Sequence, residues 1–575
     1  MFVRKNGLPE VLVLAASLLA PSLISREVFA QDPQGKSFDR ISGVVVNSVT
    51  HEPIPRALVV SDNQRFATLT DSSGRFEFVV PEASAANGGY RPYTVTARKP
   101  GFLNPQNEPG PVGQRIQEGK EVEIALVPEA LIVGHITLPS SEAPDPIEVE
   151  LYQRQVRKGR AHWVSVGVQS TRSDGEFRFA ELSAGTYKLL THELRDEDPK
   201  TSVPGGQVYG YAPVYYPNAN GFASAGTIEL TPAKTEYANL SLVRQPYYPV
   251  IVPVANVPQG IGLNIKVSMQ GRDGPGYALG YDPQKQAIVG LLPNGSYRLE
   301  AVVFGGQVLS GVAIITVRGG AEGMVLPLAA SPPVIVNVKE QFTAEVPPAM
   351  SVTRGPGGKI SSQQRKFDVT VMFEPADDFG AQQQVASSRG RPGTQPDTVQ
   401  MENVAPGRYW AQVYSSHGYP ASVTASGVDL LRHPLVVPVG SSVPSIEVTL
   451  RDESATIDGV VEGTSGLLGS AAPISQGAYG WAGPPSTASS ARAYFIPLPD
   501  SPGRFTETFV NQDGKIGEVS LPPGDYRVLA FSQVQPSLEY ENPVAMRAFD
   551  GKGQVVRLAA GQKEHVQLQL VSTSE

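Results

Sequence analysis

Short runs in which apolar and polar residues strictly alternate recur along the whole chain, and a period of two marks a strand with one side turned inward. Tyr187-Leu189-Thr191, Tyr297-Leu299-Ala301-Val303, Tyr409-Ala411-Val413 and Tyr526-Val528-Ala530 each occupy alternate positions of such a run. Every one of these runs is entered in the same way. A branched residue ends one strand, a Pro/Gly turn supplies the reversal, and a tyrosine opens the next strand. The clearest copy is Leu521-Pro522-Pro523-Gly524-Asp525-Tyr526; earlier copies are Leu182-Ser183-Ala184-Gly185-Thr186-Tyr187, Leu292-Pro293-Asn294-Gly295-Ser296-Tyr297 and Val404-Ala405-Pro406-Gly407-Arg408-Tyr409. A looser first member runs from Val80-Pro81 to Tyr93. The five tyrosines lie 94 to 117 residues apart, which is the length of one small β-sandwich. Tyrosine suits this position because its ring can join the core while its hydroxyl reaches a backbone group of the preceding loop.

Around each tyrosine the remaining strands fall into a repeated order. The first unit, 38–128, opens with Ile41-Ser42-Gly43-Val44-Val45-Val46 and contains the hairpin signal Asp71-Ser72-Ser73-Gly74-Arg75-Phe76. There the Asp and Ser bond local backbone, the Gly takes positive φ, and Phe76 and Phe78 return on one face. The second unit, 129–245, repeats this with Ile132-Val133-Gly134-His135-Ile136 and Ser173-Asp174-Gly175-Glu176-Phe177. Units at 246–330, 331–451 and 452–575 keep alternating strands, one turn-Tyr pattern and a closing strand such as Ile446-Val448-Leu450 or Val566-Leu568-Leu570. Two Ser/Gly/Ala/Pro-rich insertions, about 376–398 and 463–490, read as long loops within a unit. The seam at Val127-Pro128-Glu129-Ala130 reads as short and stiff, and that at Arg451-Asp452-Glu453-Ser454 as looser.

Composition sharpens this picture. The 575 residues include 58 glycines and 51 prolines, about a fifth of the chain against a usual ~12%, as expected of many turns between short strands. A net charge of −8, with no dense basic face in any unit, argues against a nucleic-acid partner. With no cysteine, disulfides and thiolate metal sites are ruled out, so packing must hold the units together. Residues 1–30 read as a secretory signal peptide: Arg4 and Lys5 precede an apolar run from Val11 to Ile24, and Val28-Phe29-Ala30 precedes Gln31. Arg26 and Glu27 lie unusually close to that cleavage site, so an uncleaved anchor is the alternative. No later stretch has the ~18 uninterrupted apolar residues of a membrane helix. The expected location is therefore periplasmic, outer-surface-associated or extracellular.

Over roughly 41–102 the order of residues resembles the carboxypeptidase regulatory-like domain, a transthyretin-like β-sandwich. The matching pieces are the opening Ile-x-Gly-x-Val, Glu52-Pro53-Ile54-Pro55-Arg56-Ala57, the Thr68-to-Phe76 hairpin and Lys99-Pro100-Gly101-Phe102. The Tyr-Tyr-Pro segment of the second unit is similar to what multi-repeat exported proteins of acidobacterial type carry. The resemblance implies an all-β tandem array of about five Ig-like or transthyretin-like sandwiches after the signal peptide. Its name also invites a peptidase reading. None of the seven histidines has Glu three residues on, and no stretch shows the βαβ pattern of a catalytic domain. No His-Glu-x-x-His, Gly-x-Ser-x-Gly or phosphate-binding loop is present.

Candidate chemistry is correspondingly sparse. Asp71-to-Gly74, Asp174-Gly175 and Asn511-x-Asp513-Gly514 resemble fragments of calcium loops but lack the later bidentate Glu, and turn formation explains them without a metal. A Lys–Asn isopeptide crosslink is left open, since sequence places no buried acid beside such a pair. Arg154-Gln155-Val156-Arg157-Lys158-Gly159-Arg160 reads as a hairpin tip in water, with a polyanion site as the alternative. The candidate ligand-binding residues are aromatic: Tyr209, Tyr211, Tyr215 and Tyr216 on the inserted loop of the second unit, and Trp410 and Tyr414 on the face opposite Tyr409. Exposed rings stack on sugars or peptide side chains; the competing expectation is that these rings fill the seams between units. No catalytic residue, cofactor or metal ligand is expected. The sequence thus points to a non-enzymatic exported array serving as an adhesion, scaffold or binding module, with envelope proteins or a polysaccharide as partner. The alternatives are a carbohydrate-binding protein of starch-binding-like fold and an accessory subunit of a secreted peptidase.

Overall fold

The computed structural model describes residues 38–571 except 63, 82–91, 93, 104–113, 117–119, 140–145, 197–205, 220, 322–323, 345–348, 355–359, 366–368, 378–390, 393–397, 464–490 and 512. The signal segment, Tyr93 and most of both insertions lie outside the described residues. What is described is all-β, a tandem series of sandwiches, with helix confined to one short α-helical turn at Pro543–Met546 and a 3-10 turn at Arg547–Phe549.

One pairing scheme recurs around five hydrophobic cores. In the first, strand Phe38–Asn47 lies between Arg75–Pro81, antiparallel, and the closing strand Val122–Leu126, parallel. Ala130–Thr137, Val334–Gln341 and Ala455–Glu462 are flanked likewise, each by one antiparallel strand and one parallel closing strand, and Arg244–Ala255 has the same two partners with a further antiparallel neighbour at its start. A second sheet carries the tyrosine strand, as in Arg492–Pro497 paired with Gly524–Phe531, and the two inner faces close on each other. The cores comprise residues between Ile41 and Leu126, Ala130 and Leu242, Val250 and Leu328, Val334 and Leu450, and Ala455 and Leu568. Each buries about a dozen or more aliphatic and aromatic side chains, at roughly 1.5–3 kcal/mol apiece.

The opening strand needs a glycine where the hairpin phenylalanine crosses it. Gly43 pairs with Phe76 and Gly134 with Phe177, and a Cβ on either would collide with that ring and with the carbonyl of the neighbouring closing segment, Val122 or Ala238. The hairpin turns behave as their residues dictate. Asp71 Oδ1 accepts from the N–H groups of Ser73 (2.8 Å) and Arg75 (2.9 Å), Asn511 Oδ1 accepts from Asp513 and Lys515, and Gly74, Gly175 and Gly514 have φ of 72°, 86° and 74°. These side-chain oxygens are engaged by their own backbone.

The tyrosine of each described turn does what its position predicts. Its ring is buried and its hydroxyl donates to the carbonyl four residues earlier: Tyr187 to Ser183 (2.8 Å), Tyr297 to Pro293 (2.9 Å), Tyr409 to Ala405 (2.8 Å) and Tyr526 to Pro522 (2.7 Å). Alternate residues after each tyrosine are buried with it.

Two seams differ from the sequence reading. Strand Arg244–Ala255 runs straight through the expected 245/246 boundary. Its first residues pair with Val208–Tyr211 of the second unit and the rest with Ala287–Pro293 of the third, so one sheet spans both. A strand can do this because register is set by backbone bonds, which carry no mark of which core a residue belongs to. The Arg451–Ser454 seam is also tied down rather than loose. The Asp452 carboxylate accepts the N–H groups of Thr343 (2.9 and 3.0 Å to its two oxygens) and Ala344 (3.3 Å).

Candidate functional site

The inserted segment of the second unit is largely structural. Val208–Tyr211, expected as loop, is a strand, because Arg244–Ala255 offers it an unpaired edge. Tyr211 is buried in the main core, and half-buried Tyr216 packs against the same core. Tyr215 is buried in a smaller cluster with Tyr152, Leu190 and Phe222 on the outer side of the sheet, and its hydroxyl donates to Pro275 O at 2.8 Å. Tyr209 is half-buried, with the Arg244 guanidinium 4.0 Å from its ring centre. Trp410 is half-buried too, and Tyr414 is 45% exposed on the face opposite Tyr409, with the Arg504 guanidinium 6.0 Å from its ring centre. Of the six candidate aromatics only Tyr414 presents a substantially open ring. Tyr237, 71% exposed on strand Thr235–Tyr237, is an open ring that the sequence reading passed over, and its position in the period of two was the available signal.

Beneath the insertion lies a polar chain. Glu150 accepts from Ser165 Oγ (2.6 Å) and pairs with His192 Nε2 (2.8 Å), whose Nδ1 lies 3.3 Å from Glu148. Burial opposes ionisation of Glu150, but hydrogen bonds from His192 and Ser165 outweigh it and hold its carboxyl below the usual value; the bond to Glu150 raises His192. The carboxylate stands between hydroxyl and imidazole, so the imidazole does not reach the serine as a base would. Lys188, the one fully buried lysine among the described residues, donates to the carbonyls of Phe222 (2.7 Å) and Ala223 (3.2 Å). No group of three metal-ligating side chains occurs among the described residues.

At the seam between the second and third cores, Glu193 Oε1 accepts from Ala278 N (2.9 Å), while Oε2 and the nearby Tyr247 hydroxyl are buried without a hydrogen-bond partner. Burial pushes the Glu193 carboxyl up to about 7.

The most developed polar constellation is the one read from sequence as a hairpin tip in water. Strands Glu148–Arg157 and Arg160–Ser170 form that hairpin, with Lys158 and Gly159 turning at φ of 47° and 75°. The tip is only partly in water: Arg157 and Lys158 are exposed, whereas Gly159 is buried and Arg160 half-buried against the fourth and fifth units. Arg154 makes a two-pronged contact with Glu539, the second prong at 2.9 Å, while Arg160 meets Glu541 at 3.1 Å and Lys158 meets Glu374 at 3.1 Å. Gly159 O accepts from Glu541 N (3.1 Å), and a Cβ at Gly159 would come within 2.5 Å of the Tyr540 ring. Tyr540 stacks on Phe505 at 3.6 Å, and the Arg160 guanidinium lies 3.7 Å over the face of Trp410. The hydrogen bond between Arg154 and Glu539 raises the pKa of the arginine and lowers that of the carboxyl; burial raises Glu541 against the pull of Arg160. The sequence shows the cations but hides their partners, which lie more than 200 residues away. Units four and five are joined in turn by Arg504, whose guanidinium donates to Val413 O at 3.0 Å.

No family model and no curated protein matches the chain. Among solved structures it is similar to the Bacillus anthracis TIE protein, at 13% identity over 51% of this chain and 50% of that one, with a TM-score of 0.15. The chain thus spans about half the length of that protein. It is also similar to the Streptococcal ancillary pilin (12% identity, 56% of this chain, 99% of that one, TM-score 0.18). The major pilin subunit of Bacillus cereus overlaps equally widely (11%, 56% and 99%, TM-score 0.13). TM-scores this low say nothing of the whole arrangement, and the all-β tandem fold rests on the strands of the chain itself.

Proposed function

We propose that this chain is a non-enzymatic, exported scaffold or adhesion module of the cell envelope or extracellular space. Its units belong to the regulatory-like sandwich type that the first of them resembles, and they bind protein partners. The observation that carries this reading is the hairpin clasp: side chains of the second, fourth and fifth units hold distant sandwiches together, so that the chain offers fixed surfaces. The export signal expected at residues 1–30 supports a location outside the cytoplasm. No helix among the described residues is long and apolar enough to cross a membrane. Of the six aromatics expected to take ligands, exposure supports Tyr414 best.

The test uses the chain from Gln31 onward against an envelope fraction and a panel of insoluble polysaccharides. Retention on the envelope fraction that disappears after the fraction is treated with protease is the expected result. Retention on a polysaccharide, reduced at least tenfold by Tyr414→Ala or Tyr237→Ala, would replace this reading by the carbohydrate-binding one.

A further inference from the structure

The hairpin tip and its seat form a knob and a socket carried by different units. We infer that the socket made by Glu374, Trp410, Glu539, Tyr540 and Glu541 also takes the hairpin of a second copy of this chain, giving a reciprocally exchanged dimer. This goes beyond the proposed function and holds whatever else the array binds.

Three features of the contact carry the inference. The first is charge. Arg154, Lys158 and Arg160 each meet a carboxylate, so the knob is basic and the socket acidic. The second is shape. Only a glycine tip fits against Tyr540, and one planar guanidinium covers Trp410, so recognition is built into the two surfaces themselves. Nothing in that recognition requires the two surfaces to belong to one chain. The third is connectivity. Arg154 and Glu539 are 385 positions apart, with the third and fourth cores between them. The seam between those cores holds a cleft of about 390 Å³, with Val302, Phe304 and Val312 on one wall and Pro406 and Val436 on the other. Asn403 bridges the seam, accepting from Val308 N and donating to Gly306 O, both at 3.1 Å. Opening at that cleft frees knob and socket without breaking any core.

Within one chain the folded third and fourth units hold knob and socket in register, so the closed monomer dominates in dilute solution. Where chains are crowded, or where the clasp has been opened, exchange between two copies recovers the same contacts twice and closes with twofold symmetry.

Charge reversal separates contact within a chain from contact between chains. One variant carries Arg154→Glu and Arg160→Glu, the other Glu539→Arg and Glu541→Arg. Alone, each has mismatched knob and socket and is expected to run as a monomer in light scattering after gel filtration. Mixed in equal amounts, the two have matched charges at both contacts of an exchanged dimer, and a species of twice the mass is expected. A mixture that stays monomeric while both variants retain β-sheet circular dichroism overturns the inference. A chain with all four reversals matches its charges internally and is expected to be monomeric, melting below wild type because the Arg160 guanidinium no longer covers Trp410, but above either double variant. If a reversal prevents folding, unaltered chain decides the matter. At high concentration it is held in urea just below the first unfolding transition, which weakens the apolar and the ionic contacts of the clasp together, and then returned to buffer. A dimer fraction that rises with protein concentration supports the exchange, and its absence at every concentration sinks it.

Discussion

Replacing Tyr526 by phenylalanine removes a single oxygen and keeps the ring, so it tests whether the turn-Tyr pattern stabilises each sandwich through its hydroxyl. That hydroxyl donates to Pro522 O at 2.7 Å and accepts from Arg504 N at 3.2 Å, and the ring around it is fully buried. The net worth of one such bond is about 1 kcal/mol, and each buried polar group left without a partner costs about 1–3 kcal/mol. With Pro522 O and Arg504 N–H both deprived, the expected loss is about 2–3 kcal/mol in the fifth unit. In a domain of this size that corresponds to a melting shift of roughly 10 °C. Because several units need not melt together, the readout is hydrogen exchange by mass spectrometry, resolved on peptides from Ala455–Glu462 and Gly524–Phe531. Tyr409→Phe is the internal comparison: its hydroxyl has the Ala405 O bond alone, and about 1 kcal/mol is expected in the fourth unit. Losses below about 0.5 kcal/mol at Tyr526, or the same loss at both positions, would refute the argument that the hydroxyl's bonds set the magnitude.

Other outcomes follow from the same geometry. Gly134→Ala forces a Cβ into the Phe177 ring and the Ala238 carbonyl, and a loss above about 3 kcal/mol, with the second unit melting first, is expected by calorimetry. Glu193 has a folded pKa of about 7, above its unfolded value of 4.5, so the folded state binds the extra proton. Its carboxyl therefore lowers stability increasingly as pH rises from about 4.5 to 7, and Glu193→Gln should gain up to about 3 kcal/mol over wild type above pH 7 and nothing below pH 4 in urea titrations. A double-mutant cycle on Arg160→Ala and Trp410→Ala should give a coupling of about 1 kcal/mol that persists at high salt, and additivity would show that the stacked contact is idle.

The sequence by itself determined most of the strands, the hairpin turns and the four described tyrosines, because each depends on residues within about ten positions of one another. Alternation sets which face is buried, Asp or Asn with Gly sets the hairpin turn, and a tyrosine four residues past a carbonyl can reach it without long-range help. What the tertiary structure decided is the company each side chain keeps across the units. Arg154-to-Arg160 reads as a solvated tip because charge beside glycine is the usual composition of one, and its carboxylates and Trp410 belong to other sandwiches. Tyr211 and Tyr215 read as loop aromatics because the edge of Arg244–Ala255 and the outer cluster around Phe222 exist only after folding. The physical reason is one of range. Backbone sterics and local periodicity act along the chain, whereas burial and ion pairing act through space, and no pattern along a strand records which distant surface will cover it.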